Sequence, residues 1–345
     1  MDSSVHPSPR PRAARRVLVA LAALAIALVA LELGWRVWLQ RTGRGFFDDP
    51  NEFSSPFFTT YEEPRPLLAQ GGFQFHNGWV AREKPPGELR VICFGGSTTV
   101  DWRAGISYPQ ILEERLESAA GGRSVRVLNA GGDGFSSAHT LVNLALRNLE
   151  VQPDVITVYH NINDLSVRRF GDEVLSDYGN KYKTDFYLGM RHRTGPLAAL
   201  TKVSRLARYT VSSISALNFP AQEERSHRYE PGLRYFEANL RSIVAIARAH
   251  EIRVVLATQT ARTDVREATD FADYNETVRR IAREQGVELI DVAATVTDDS
   301  LFLPDGIHCT RAGVEAVAAV FEGPLARLVG EVAGERRAAD AAGAR

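Results

Sequence analysis

Four short stretches of this 345-residue chain carry residue types able to do chemistry together. The first is VICFGGSTTV, Val91–Val100, where an apolar run stops at two glycines and Ser97 follows. The second is NAGGDGFSS (129–137), the third HNINDL (160–165) and the fourth LPDGIHCT (303–310). A serine hydroxyl is a weak nucleophile at neutral pH and needs an adjacent base. His308 is the natural base. Asp305, three residues upstream, can aim its carboxylate at the imidazole Nδ1, fixing the tautomer and stabilising the imidazolium. The N–H of Ser97, a glycine N–H from the second stretch and the Asn163 amide could surround a developing oxyanion. One such donor is worth about 3–4 kcal/mol in a transition state. The chemistry would be acyl transfer through a serine.

Each stretch also has an ordinary reading. A glycine pair after a strand lets the chain turn where a side chain would clash. Pro-Asp-Gly is good turn chemistry by itself. NAGGDG fits a tight strand-to-helix loop, and Asn163-Asp164 fits a helix cap. What separates the readings is whether the elements around these stretches bring them to one place.

The elements alternate. Apolar runs at Leu89–Phe94, Val125–Asn129, Asp154–Tyr159, IRVVLAT (252–258) and VELIDV (287–292) read as strands. Helical spacing appears over Tyr108–Ser118, Ala138–Asn148, Tyr235–His250, Asn275–Gln285 and Arg311–Val329. Short two-sided apolar strands separated by helices predict a three-layer α/β domain with about five parallel strands. In such a sheet the strand ends share one edge, so the four stretches converge on one crevice. One gap breaks the rhythm. Residues 166–231 replace the helix expected after the third strand, and a gap this long is read as a lid or substrate-shaping insertion, or as a passive one.

Taken together, the four ordered motifs resemble the SGNH hydrolases, also called GDSL esterases and lipases, over residues 88–328. The resemblance implies a flavodoxin-like sheet and a catalytic Ser97, Asp305 and His308. It implies an oxyanion hole of Ser97, Gly134 and Asn163, with Gly131 the less favoured glycine. Two positions depart from the family pattern. Gly96 stands where Gly-Asp-Ser has aspartate, and Asn161 stands where Gly-x-Asn-Asp has glycine, so that a side chain there would crowd the pocket or change the angle holding Asn163. The resemblance implies hydrolysis of a carboxylic ester through an acyl-enzyme, with an acetyl ester on an envelope glycan as one substrate and a lipid or thioester as others. An envelope O-acyltransferase and a catalytically weak scaffold of the same fold are the alternatives. Asp-x-x-His, in place of the tighter Asp-x-His of the transferases it resembles, favours hydrolysis.

The N-terminus is of another kind. Arg10, Arg12, Arg15 and Arg16 precede VLVALAALAIALVAL, Val17–Leu31, which has no polar side chain. A helix over 17–39 would be about 35 Å long, enough to span a bilayer core. Trp35 and Trp38 suit the far interface, Glu32 can pair with Arg36 one turn on, and the arginines before the run favour a cytoplasmic N-terminus. A signal peptide shares these features, but the bulky LELGWRVWLQ offers no small-residue cleavage site. The organisation expected is a cytoplasmic basic segment (1–16), a transmembrane anchor (17–39), a linker and lead-in with a short strand or hairpin (40–87), a hydrolase domain (88–330) and a disordered tail (331–345). The catalytic domain would then be extracytoplasmic.

The bulk numbers exclude little else. A net charge of −1 gives no sign of a nucleic-acid surface. Two cysteines, Cys93 and Cys309, exclude a disulfide framework and a cysteine-based zinc site. They could pair with each other, although Cys93 reads as core. The acids and histidines show no metal-ligand spacing beyond the presumed triad, so no cofactor is implied.

Overall fold

A computed structural model of the chain describes residues 11–41, 72–167, 176–178, 181, 204, 206–207, 210 and 230–343. Most of the expected linker and insertion, and the first ten residues, lie outside this set. The chain divides into two compact units, residues 1–52 with 184–224, and residues 53–183 with 225–345.

In the first unit a helix, α1, runs over Pro11–Arg41. Its stretch Arg15–Trp38 is long and apolar enough, by length and composition, to cross a membrane, and its apolar side chains are exposed. The expected pair forms, with Arg36 Nε 2.6 Å from Glu32 Oε1. The other oxygen of Glu32 accepts from Ser204 Oγ at 2.7 Å and the Leu206 N–H at 3.0 Å. Trp35 and Trp38 stack at 4.8 Å on the same end.

The second unit opens with a hairpin, β1 (Gly72–Phe75) and β2 (Gly78–Ala81). Phe73, Phe75 and Val80 bury themselves in the core, so the body begins here and not at residue 88. The turn also serves the sheet edge: Asn77 donates to Val127 O and accepts from the Asn129 N–H at 2.9 Å. An exposed edge strand invites pairing with other chains, and this turn covers part of it.

The central sheet holds β3 (Leu89–Gly95), β4 (Val125–Gly131), β5 (Val155–Tyr159), β6 (Arg253–Ala257) and β7 (Glu288–Ile290). All neighbours are parallel, in the order β4-β3-β5-β6-β7. Alternation of side chains sends Val91 and Cys93 to one face and Ile92 and Phe94 to the other, all fully buried. On the first face pack α3 (Tyr108–Leu116) and α10 (Arg311–Gly343); on the second pack α4 (Ser137–Leu146), α6 (Glu230–Ala249) and α8 (Phe271–Gln285). Two hydrophobic faces covered by helices are what makes a parallel sheet stable. The chain leaves β3 for one edge strand and then crosses to β5 on the other side. That reversal opens a crevice at the strands' carboxyl ends, where ligands bind in open α/β sheets.

The C-terminus corrects the expectation of a disordered tail over 331–345. The helix α10 continues through Pro324 to Gly343. Val332 and Ala333 extend the buried stripe of Leu325, Leu328 and Val329, so burial carries the helix on. Beyond them Arg336 pairs with Asp154, and Asp340 with Arg123 at 2.6 Å.

Candidate active site

All four stretches lie at the carboxyl edge of the sheet. Ser97 is the first residue of α2 (Ser97–Val100), directly after β3. Its Oγ is 2.8 Å from His308 Nε2, and His308 Nδ1 is 2.7 Å from Asp305 Oδ2. The second oxygen of Asp305 accepts the backbone N–H groups of Ile307 and His308, each at 2.9 Å. One three-residue turn thus holds the carboxylate and the ring in register. Residues 211 positions apart meet because both loops leave the same sheet edge.

Electrostatics set the protonation states. Burial, helped by the Arg103 charge, holds the His308 pKa below its ordinary value against the pull of Asp305. At neutral pH the ring is therefore uncharged and able to accept a proton from Ser97. Burial works against ionisation of Asp305, but the hydrogen bonds from His308 and Ile307 outweigh it and keep its carboxyl below the usual range. With Nδ1–H donating to Asp305, Nε2 is left as the acceptor facing Ser97.

The loop carrying the pair is strapped from outside. Arg262 donates its backbone N–H to Gly306 O at 2.8 Å and its Nη1 to Pro304 O at 3.2 Å. Gly306 sits at φ +72°, and a Cβ there would lie 2.7 Å from Val265 Cγ2, so glycine is needed on both counts.

Asn163 lies in α5 (Ile162–Leu165), after β5. Its Nδ2 donates to Phe135 O at 2.9 Å. A Cβ on Gly96 would come within 2.5 Å of that same nitrogen. A side chain at position 96 would therefore meet this amide, and glycine leaves it in place. Asn161, the other departure, does not crowd the crevice. Its Nδ2 donates to Phe271 O at 2.9 Å and Asn275 Oδ1 at 3.0 Å, deep in the fold. Its φ of −165° is extended backbone open to any residue. The Asn275 side chain passes the network on to the Gln259 backbone, and the Gln259 side chain reaches the Ile162 N–H at 3.0 Å.

The two glycine candidates differ. The Gly131 N–H is already given to Asn129 Oδ1 at 3.0 Å. Gly134 stands beyond the strand at φ +76°, in the loop that brings the Phe135 carbonyl to Asn163.

Several neighbours escaped the sequence reading. Asp101 ends α2 in the left-handed region at φ +49°, buried, with its N–H on Ser97 O at 2.9 Å. Burial and the nearby Asp305 push its carboxyl up to about 8, against the pull of Arg103. Asp164, also buried, accepts the Ser137 N–H at 3.0 Å and the Tyr178 hydroxyl at 3.0 Å, tying α5 to the start of α4. His160 is buried beside Thr140, and burial drives its pKa down to about 3, so it takes no part as a base. Cys93 and Cys309 are both free and buried. Among the described residues no group of His, Cys, Asp and Glu has the arrangement of a metal site.

Residues 93–316 match the model of the GDSL-like lipase/acylhydrolase family, more than half of the chain. The chain belongs to that family. It is a serine ester hydrolase by family, and its fold is the family's parallel α/β sheet. Among solved structures it is similar to a lipase/acylhydrolase from Enterococcus faecalis, with 18% identity, TM-score 0.42 and coverage of 72% of this chain and 96% of that one. It is also similar to an acetyl xylan esterase from Geobacillus stearothermophilus, with 17% identity, TM-score 0.45 and coverage of 70% and 94%. A third is a GDSL-like lipase from Bacteroides thetaiotaomicron, with 14% identity, TM-score 0.41 and coverage of 72% and 92%. A comparison with curated protein sequences returned no match.

Proposed function

We propose that the chain is a membrane-anchored esterase in which Ser97 is the nucleophile, His308 the general base and acid, and Asp305 the orienting carboxylate. The observation that carries the reading is the unbroken line of contacts Ser97 Oγ–His308 Nε2–Asp305, at 2.8 and 2.7 Å. In the first half-reaction Ser97 Oγ bonds to the ester carbonyl carbon as its proton passes to His308. The carbonyl oxygen becomes an oxyanion that accepts from the Ser97 and Gly134 N–H groups and the Asn163 amide. The tetrahedral intermediate collapses, the ester C–O bond breaks, and the alcohol leaves with the proton from His308. Water repeats the sequence on the acyl-enzyme and releases the acid. Asp305 stays ionised throughout and stabilises the transient imidazolium.

The apolar helix supports an attachment to the membrane, with the arginines before it on the cytoplasmic side and the hydrolase unit beyond it. An acetyl ester on an envelope glycan is the substrate class we favour for an enzyme so placed. The test is hydrolysis of aryl acetate, butyrate and octanoate by the full-length protein in detergent, beside Ser97→Ala. Hydrolysis of acetate in preference to octanoate, abolished in Ser97→Ala, is expected. A preference for octanoate would overturn the acetyl assignment, and an active Ser97→Ala would overturn the nucleophile.

A further inference from the structure

Among the described residues of the insertion after β5, Lys181 reaches Asn163, and no motif of the sequence marks it. Lys181 is 1% exposed. Its Nζ donates to the Asn163 backbone oxygen at 2.9 Å and to Ser166 Oγ at 2.8 Å, with a longer contact to Asn163 Oδ1 at 3.4 Å. Two of these acceptors belong to the residue assigned above as the side-chain donor of the oxyanion hole.

A carboxamide can serve an oxyanion only with its nitrogen turned toward it. Its two ends are nearly equal in shape, and a flipped amide would present a carbonyl oxygen to the negative charge. Two neighbours of opposite kind select the orientation here. Lys181, which can only donate, draws Oδ1 to its side. The Phe135 carbonyl, which can only accept, draws one N–H to its own side at 2.9 Å. The second N–H of Asn163 is left for a ligand.

Charge adds to geometry. Burying an ammonium is costly unless strong acceptors and counter-charge surround it. At Lys181 two of the acceptors are on the oxyanion donor itself, and the cation is close enough to Asp164 to favour its ionised form. A cation bonded to the far side of the Asn163 amide polarises its N–H groups toward the site. In a water-poor environment that strengthens the bond to a developing oxyanion.

We propose that Lys181 is a positioning residue that fixes and polarises the Asn163 amide for the transition state, so that the insertion completes the oxyanion hole. This rests on the esterase reading given above. It predicts a defect in transition-state stabilisation and not in substrate binding.

The experiment compares full-length wild type, Lys181→Met, Asn163→Ala and the double variant in detergent, on an aryl acetate. Lys181→Met is expected to lower kcat about 10–30-fold with KM within about twofold. In the Asn163→Ala background the same change is expected to cost less than about twofold, because the group it acts through is gone. Affinity for phenylboronic acid, which forms a tetrahedral anionic adduct on serine, falls with kcat, while affinity for an uncharged amide analogue of the substrate holds. Full kcat in Lys181→Met, an equal loss in the Asn163→Ala background, or equal weakening of both inhibitors overturns the proposal. If circular dichroism shows Lys181→Met unfolded, Lys181→Gln keeps a donor without the charge and is read against the same outcomes. Ser97→Ala runs alongside. An active Ser97→Ala removes the esterase reading itself, whereas an inactive one beside an unimpaired Lys181 variant removes only the positioning role.

Discussion

The two ends of the central sheet bury charge in opposite ways. At the amino end Asp154 is closed on every side. Lys84 Nζ reaches it at 2.7 Å, the Arg90 N–H at 2.7 Å, and Arg336 of the last helix completes the cluster. Nearby Arg90, 1% exposed, is held by Glu88 and the Val151 carbonyl. Each of these charged groups has its partner within the cluster. At the carboxyl end the groups satisfy one another only in part. Burial favours the neutral form of His308, whose ring touches the Ser97 hydroxyl, while the Asn163 amide donates to the Phe135 carbonyl. A buried cluster whose charges cancel internally is a staple. A cluster that holds a neutral base against a hydroxyl can do chemistry.

This contrast can be broken from either side. The largest effect belongs to the carboxyl end. His308→Ala is expected to lower kcat/KM by about 10³–10⁵-fold on an activated ester with little change in melting temperature. A large loss of Tm in that variant would mean that the histidine is part of the core.

The amino end should respond in reverse. Asp154→Ala leaves Lys84, Arg336 and the Arg90 N–H without their shared acceptor, and removing one partner of such a cluster costs about 3–5 kcal/mol. Denaturant unfolding should show that loss, while kcat of the folded protein at low temperature stays within about twofold of wild type. A drop in kcat with intact stability would contradict the division.

The pH dependence sharpens it. The base must be neutral, so kcat/KM rises with pH through the His308 pKa, which burial and Arg103 hold below the ordinary 6.5. Arg103→Met removes a positive charge that disfavours the imidazolium, and so moves this acid limb to higher pH. A limb that stays put would show that Arg103 does not sense the ring.

Asp101 makes stability itself depend on pH. Its folded pKa, about 8, lies above its unfolded value of 3.8. Between these values the native state holds a proton that the unfolded state has lost, so this residue makes stability fall as pH rises. Asp101→Asn lacks that term and keeps a residue tolerant of positive φ. Its Tm relative to wild type should therefore climb from pH 4 to pH 8. A constant difference would show that Asp101 is not protonated in the fold.

What could be seen in the sequence follows from the same physics. The meeting of Ser97 with Asp305 and His308 was legible because each lies in a loop or turn whose place at the sheet edge is dictated by parallel topology. The preference for Gly134 over Gly131 rested on the motif alone, because the reason in the fold lies in where Asn129 sends its side chain. Asn161 looked like an obstacle, since its partners Phe271 and Asn275 lie more than a hundred residues away. The last helix ran past its expected end because small residues such as Ala333 bury well yet give a weak periodic signal. Lys181 and Asp101 carried no signal at all. A lysine in an aperiodic insertion and an aspartate at positive φ are meaningful only through neighbours brought by the fold.

The central claim is that Ser97 is activated by His308 and Asp305. Its most direct test is labelling of the full-length protein with a fluorophosphonate, read by intact mass and peptide mapping. One adduct per chain on Ser97 is expected, absent in Ser97→Ala and at least about a hundredfold slower to form in His308→Ala. An unlabelled chain that is folded, or an adduct on another serine, would contradict it.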